Sequence, residues 1–277
     1  MQNIQIMGIL NVTPDSFYDG GKYNDLENAT VRIEEMCEQG ANIVDIGGES
    51  TGPGSEDISA EEEMGRVIPV IRKVVSGEWL VVSDEKEEDT KQEKKIEENH
   101  INVSVDTYKS EVARAAIELG VEIINDVTAG RGDEKMFKLI AETGCKYILM
   151  HSKDNSPRTT IQQLEYEDVL ETIHEFFEDR IREAENSGIK KEQMILDPGL
   201  GHFVSSDPKY SWEILNNLEF LHDFGCPILV SPSRKSFTEK TLEGTLEATK
   251  IAVEHGANII RTHDVLETKK LIDKIFN

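Results

Sequence analysis

Apolar runs of seven to nine residues, each closing on a polar group, recur along the whole chain. They are "IQIMGILNV" (4–12), "ANIVDIG" (41–47), "INVSVDT" (101–107), "VEIINDV" (121–127), "KYILMHS" (146–152), "QMILDPG" (193–199), "PILVSPS" (227–233) and "ANIIRTH" (257–263). Each is nearly continuous in aliphatic residues rather than alternating, the pattern of parallel strands covered on both faces. Between them lie helical stretches. Residues 24–40 place Ala29, Ile33, Met36 and Cys37 on one stripe. Residues 59–75 open with Ser59 as an N-cap and acidic residues in the first turn, which suits the helix dipole. Pro69 predicts a kink or a later start there. Further helices are predicted at 109–120, 133–144, 162–188, 207–225, 242–256 and 264–276, many closing at Gly as a left-handed C-cap prefers. Eight strands alternating with eight helices predict an α/β fold, a (β/α)8 TIM barrel forming one domain over residues 1–277. An open doubly wound sheet is the second choice. It carries fewer strands and a glycine fingerprint after the first strand, which this chain lacks.

One stretch breaks the pattern. "SDEKEEDTKQEKKIEENH" (83–100) is almost wholly charged and polar, so it buries little and reads as a surface insertion. The chain as a whole has 30 Lys and Arg against 54 Asp and Glu, a net charge of −24. That balance disfavours nucleic acid and anionic membrane surfaces, whose binding rests on cationic side chains. It leaves room for a small anionic substrate, because a local pocket can be basic on an acidic protein. The three cysteines, Cys37, Cys145 and Cys226, are widely spaced in apolar contexts and read as core residues, not disulfides or metal ligands. No apolar stretch approaches the roughly 20 residues needed to span a bilayer. The N-terminal stretch lacks a basic region and cleavage site, so a cytoplasmic location is expected.

In a barrel of this kind the chemistry sits at the C-terminal strand ends. Those ends carry Asn11, Asp45, Asp106, Asn125 with Asp126, Met150 with His151, Asp197, Ser233 with Arg234 and Lys235, and Arg261 with His263. Any one could be a satisfied structural hydrogen bond; a polar group at nearly every strand end is hard to explain by structure alone. Arg261 and His263 alternate, so they share a face, and with Asn11 they form a clamp for an oxyanion or phosphate. No Walker-type glycine loop accompanies them, which argues against a nucleoside triphosphate. Asp106, Asn125, Asp197 and Lys235 offer acceptors and donors suited to a flat heterocycle bearing amino and oxo groups.

The segments "GILNVTPDSFYDGG" (8–21), "VDIGGEST" (44–51), "SVDTYK" (104–109), "IIND" (123–126), "LMH" (149–151), "DPGLG" (197–201), "SRKSF" (233–237) and "IIRTHDV" (259–265) together resemble the dihydropteroate synthase family, in order and over the whole chain. The resemblance implies that a 6-hydroxymethyl-dihydropterin pyrophosphate loses pyrophosphate while the amine of p-aminobenzoate attacks the exocyclic carbon. By the same resemblance Asp106, Asn125, Asp197 and Lys235 hold the pterin, with Met150 along its face. Asn11, Arg261 and His263 hold the pyrophosphate together with Mg2+, Asn11 being the metal ligand. Asp45 and Thr51, in the second motif, join the substrate-binding set. Ser236 and a helix start after it match the site of the p-aminobenzoate carboxylate. Asp106, Lys235, Arg261 and His263 are the implied catalytic set, with Asp106 stabilising the carbocation that develops as pyrophosphate departs. The loops "TPDSFYDGG" and "ESTGPGSED" read as mobile lids over the second substrate. The family is commonly homodimeric.

Two positions depart from the family pattern, both near the second substrate. Gly52 stands where the family carries an arginine. His202 stands where it carries an aromatic, unless Phe203 takes that place by a one-residue slip. A pterin-binding paralogue with an altered acceptor or lost transfer activity and a folate-dependent methyltransferase are the alternative readings, the methyltransferase disfavoured by "SRKSF". Residues 85–98 fall in a helix-to-strand connection, which opens away from the chemical face. Their deletion is expected to leave activity largely intact in a folded protein, checked by circular dichroism beside a transferase assay.

Overall fold

The computed structural model describes residues 4–13, 24–77 and 101–276. Along them run β1 (Gln5–Asn11), α1 (Asn24–Glu38), β2 (Ile43–Gly47), α2 (Ala60–Val75), β3 (Asn102–Asp106), α3 (Ser110–Glu118), β4 (Ile123–Asp126) and α4 (Met136–Thr143). They are followed by β5 (Lys146–Met150), α5 (Val169–Asn186), β6 (Met194–Asp197), α6 (Pro208–Leu215), β7 (Leu229–Val230), α7 (Leu242–Glu254), β8 (Ile259–Thr262) and α8 (Val265–Phe276). Among the described residues every strand pair is parallel, in the order β6-β5-β4-β3-β2-β1-β8-β7. The ring closes where Leu196 N–H donates to the Pro227 carbonyl at 2.9 Å and Leu196 bridges Ile228. The architecture is the expected single-domain (β/α)8 barrel.

Two separate apolar clusters explain why the strands are apolar throughout. Met7, Ile43, Ile123, Ile148, Ile195, Leu229 and Ile259 meet one another inside the barrel. Residues of the opposite parity, such as Ile6, Val44, Val105, Ile124, Leu149, Leu196 and Ile260, pack outward with helix residues including Ile33, Ile71, Ala116 and Phe177. A strand buried on both faces has no polar position to spend until it leaves the interior.

The observed elements are generally shorter than the patterns, and at three places the difference has a clear local reason. β7 is two residues long where seven were expected. Pro227 and Pro232 bracket it, and neither has an N–H to give a ladder. The helix expected at 162–188 begins at Val169, capped by Asp168 accepting from Glu171 N–H at 2.9 Å. Ahead of it Leu164 and Tyr166 spend their N–H groups on Ser205 Oγ and the Tyr210 hydroxyl instead. The stretch 207–225 divides into α6 and a 3-10 turn, Leu218–Phe224. Asn216 and Asn217 separate the two by bonding back to Trp212 and Glu213 carbonyls. By contrast α2 starts where its cap predicts, Ser59 Oγ accepting from Glu62 N–H at 3.1 Å, and runs on through Pro69. The charged segment 83–100 and residues 14–21 of the first loop lie outside the described residues. Among those described, no helix is long and apolar enough to cross a membrane.

Gly199 follows β6 with φ +68°, and a Cβ there would meet the His151 carbonyl oxygen at 2.3 Å. Gly52 has an ordinary φ and only Ser50 Oγ within reach, at 3.5 Å. Gly199→Ala combines left-handed strain of about 1–2 kcal/mol with a backbone clash that neither chain segment can easily relieve. It is expected to cost more than about 2 kcal/mol of stability, against less than about 0.5 kcal/mol for Gly52→Ala. Urea denaturation of the two variants beside the parent checks both values.

Candidate active site

One step toward the C-terminal ends, the inward row of side chains turns from apolar to polar. Asp45 follows Ile43, Asn125 follows Ile123, Asp197 follows Ile195, Ser231 follows Leu229 and Arg261 follows Ile259. The alternation of strand side chains sends all of them to the same interior. Arg261 sits at the middle. Its Nε donates to Asp45 Oδ2 at 2.6 Å and its Nη2 to Asp106 Oδ2 at 2.7 Å, while Asn125 Nδ2 donates to Asp45 Oδ2 at 2.9 Å. One guanidinium thus serves two carboxylates from different strands.

Above this layer opens a cavity of about 360 Å³. Of the expected site residues, Asn11, Thr51, Asp106, Lys235, Arg261 and His263 line it. Asp45 and Asn125 lie just beneath and reach the cavity through Arg261. Asp197 is buried, its Oδ1 held by Gly199 N–H at 2.9 Å, and is paired in register with Met150. Lys235 Nζ donates to the Leu200 carbonyl at 3.3 Å and stands 4.5 Å over the Phe203 ring. Of the two residues considered for the aromatic position, Phe203 therefore adjoins Lys235. The His202 carbonyl instead accepts from Lys153 Nζ at 2.7 Å and Thr159 Oγ1 at 2.8 Å, tying that turn to the loop after β5. Ser236 opens a three-residue 3-10 turn, Ser236–Thr238, not the α-helix expected after it. So short a turn has no developed dipole.

Three strand-end residues turn away from the mouth. Asp126 has the outward parity and closes the following turn, accepting from Thr128 N–H at 2.7 Å, Gly130 N–H at 2.9 Å and the Tyr147 hydroxyl. His151 packs edge-on against Phe176 at 4.9 Å. Arg234 is an exposed partner of Asp264 at 2.8 Å.

Burial sets the protonation of the layer. It pushes Asp106 up to about 7 although Arg261 pulls the other way, and the neighbouring Asp45 charge adds to the rise. It lowers Lys235 to about 8 against the attraction of Asp197, with Arg261 adding to the fall. It raises Asp197 despite Lys235. Three carboxylates and two cations share this small volume, so the layer favours a ligand that brings N–H donors or positive charge.

One feature of the rim has no counterpart in the strand-end pattern. Glu49 lines the cavity and is gripped by both Lys109 and Arg158. Burial pushes its carboxyl up, but these two cations outweigh that and hold it below its ordinary value. Lys109 also reaches Glu63 Oε2 at 2.5 Å, and Arg158 reaches the Ser55 carbonyl at 2.9 Å, the Glu56 carbonyl at 2.7 Å and Asp57. The loop after β2, expected to be a mobile lid, is cross-braced to the loops after β3 and β5. Lys109 closes the "SVDTYK" motif; nothing about Arg158 in sequence points to Glu49, which is 109 positions away.

Among the described residues no cluster of three or more His, Cys, Asp or Glu is arranged to hold a metal ion. Asn11 offers one amide oxygen at the rim, 3.5 Å from where a Cβ on Gly47 would stand.

The family model described as "Pterin binding enzyme" matches residues 7–263. The chain is 39% identical over 274 residues to the dihydropteroate synthase of Clostridium beijerinckii, covering 96% of this chain and 90% of that one. It is 35% identical over 283 residues to the dihydropteroate synthase of Bacillus subtilis, covering 98% and 88%. Among solved structures, the dihydropteroate synthase of Clostridium difficile in the presence of pteroic acid aligns with TM-score 0.83 and 38% identity, over 99% of this chain and 95% of that one. The Xanthomonas albilineans dihydropteroate synthase with 4-aminobenzoic acid aligns with TM-score 0.83 and 34% identity, over 99% and 93%.

Burial lowers His151 to about 3 and His263 to about 4, from an ordinary value of 6.5. Both stay neutral in the fold while an unfolded chain takes up protons below about pH 6.5. Their contribution to stability is full above that pH and lost as pH falls toward 4. His151→Gln is expected to lose less stability between pH 7 and pH 4 than the parent, as measured by urea midpoints across that range.

Proposed function

This chain belongs to the pterin-binding enzyme family, as a dihydropteroate synthase, and we propose from that premise how its barrel mouth works. The enzyme is a transferase of folate biosynthesis. It condenses 6-hydroxymethyl-7,8-dihydropterin pyrophosphate with p-aminobenzoate to give 7,8-dihydropteroate and pyrophosphate. The observation that carries the reading of the mouth is the cavity lined by Asp106, Arg261 and Lys235, with Asp45 and Asp197 buried beside them, three acids to two cations.

The pterin takes the inner layer. Asp197 accepts from the amino and ring N–H donors of the pterin edge, the bidentate pairing a carboxylate makes best. The Lys235 ammonium meets a ring oxygen or nitrogen, and Asn125 and Met150 complete the socket. The bond from the exocyclic carbon to the pyrophosphate oxygen breaks with its electrons leaving on pyrophosphate. The positive charge left on carbon spreads into the electron-rich ring, and the Asp106 carboxylate stabilises it from a low-dielectric site. The p-aminobenzoate nitrogen then forms the new C–N bond and sheds a proton. The acceptor lies toward Phe203, Ser236 and Thr51. The position of Lys235 above the Phe203 ring supports that side of the mouth.

Asn11, Arg261 and His263 hold the pyrophosphate at the rim. A Mg2+ ion fits here as a companion of the substrate. Mg2+ keeps much of its water and binds substrate phosphates with few protein ligands, so the single amide oxygen of Asn11 would be enough to hold it there without a closed protein cage. When bound it offsets the charge gathering on the leaving group. A homodimer acting on small molecules is the reading the family resemblance supports; a cytoplasmic location and a surface insertion at 83–100 rest on the pattern and charge of the sequence.

Pyrophosphate release that depends on p-aminobenzoate is the expected assay result; tight pterin binding without release would favour a non-catalytic paralogue. Lys235→Ala is expected to weaken pterin binding by about tenfold or more, the size of a lost charged hydrogen bond. Because the cationic form of Lys235 makes the contact, pterin affinity should hold below about pH 8 and fall as pH rises through it. Fluorescence titration of the pterin from pH 6.5 to 9.5 checks the sign; flat affinity across that range would displace Lys235 from the pterin.

A further inference from the structure

Ser233 and His263 follow neighbouring strands, β7 and β8, and both line the cavity. The Ser233 hydroxyl meets His263 twice. Its Oγ accepts the backbone N–H of His263 at 3.2 Å and lies 3.0 Å from the ring Nδ1. Ser233 is only 5% exposed. Among the described residues its hydroxyl makes no other hydrogen bond.

Two neutral arrangements of the pair are possible. If Nδ1 carried the ring proton, Oγ would accept two N–H groups and its own proton would have no protein acceptor, only the cavity that Ser233 lines. If the hydroxyl donates to Nδ1, every donor is used, Nδ1 is bare and the ring proton is on Nε2. A charged ring, with protons on both nitrogens, is opposed by burial and by Arg261, Arg234 and Arg32 around it, with Asp264 alone on the other side. Arg32 Nη2 also donates to the His263 carbonyl at 2.9 Å, which anchors the backbone from behind.

We propose that Ser233 is a positioning residue that fixes His263 in its neutral Nε2–H tautomer, so that the ring offers an N–H to a pyrophosphate oxygen in the cavity. Nδ1 is spent on Ser233, and Nε2 is the nitrogen left for a ligand. A neutral donor orients the leaving group without adding a second full charge to that of Arg261, so the product anion is held less tightly than an imidazolium would hold it. The identity of the ligand rests on the dihydropteroate synthase reading; the tautomer rests on the Ser233 geometry alone.

Long-range 15N–1H correlation spectra of the full chain, labelled at histidine, read the tautomer directly, with His263 signals identified by their absence in His263→Gln. A pyridine-like Nδ1 and a pyrrole-like Nε2 are expected near neutral pH. Ser233→Ala is expected to mix the tautomers and Ser233→Thr, which keeps the hydroxyl, to preserve the parent spectrum. Calorimetric titration with inorganic pyrophosphate in the presence of Mg2+ should show binding weakened about threefold to tenfold in Ser233→Ala and near the parent value in Ser233→Thr. A protonated Nδ1 in the parent would overturn the proposal, as would unchanged pyrophosphate affinity in a folded Ser233→Ala. An Nε2–H ring in a parent protein that bound no pyrophosphate would count against the functional reading and leave the tautomer standing.

Discussion

The upper half of this barrel depends on one guanidinium held between two carboxylates. Asp45 is fully buried, and Asp106 keeps only one face on the cavity. Two such charges on adjacent strands would repel strongly in a low-dielectric interior, and each would lose its water. Arg261 answers both at once, at 2.6 and 2.7 Å, and Asn125 takes a further share of Asp45. Removing the arginine would leave two uncompensated acids at the centre of the fold. The arrangement also prepares the chemistry: a pocket already balanced on the anionic side needs little reorganisation when positive charge develops on a substrate carbon.

The rest of the mouth is organised by distance from that pair. Inward, the apolar plug from Met7 to Ile259 gives the charged layer a rigid floor. To one side, Asp197 and Lys235 form a second, looser couple backed by Phe203. Outward, Glu49 carries the load of the rim, because Lys109 and Arg158 approach it from two other loops. Gly52 lies within this braced loop, with only Ser50 Oγ near the place a Cβ would take. The chain has therefore placed a guanidinium near the rim, but Arg158 is committed to loop carbonyls and carboxylates. It braces the loop that carries Gly52.

Much of this was legible before folding. The period of the apolar runs required a sheet buried on both faces, and the polar closing residues of those runs marked the functional end. Asp106, Lys235, Arg261, His263 and Asn11 met at one cavity as strand-end residues should, and Thr51 of the loop after β2 joined them. The pattern read Asp126 and His151 less well, because parity decides direction: they stand one position from Asn125 and Met150 and so face the helices. Helix bounds slipped where side chains far away in sequence claimed backbone donors, as Ser205 and Tyr210 do around Leu164 and Tyr166.

The sequence by itself determined the barrel, the end at which chemistry occurs and the residue types that meet there. These follow from hydrophobic periodicity and the alternation of strand side chains, which are local properties of the chain. Only the tertiary structure decided which carboxylate answers which cation: Arg261 to Asp45 and Asp106, Arg158 to Glu49, and the Ser233 hydroxyl to the His263 ring. Those choices depend on ångström-scale distances between segments 30 to 216 positions apart. Electrostatic and hydrogen-bond energies fall off over such distances, and no local pattern encodes them.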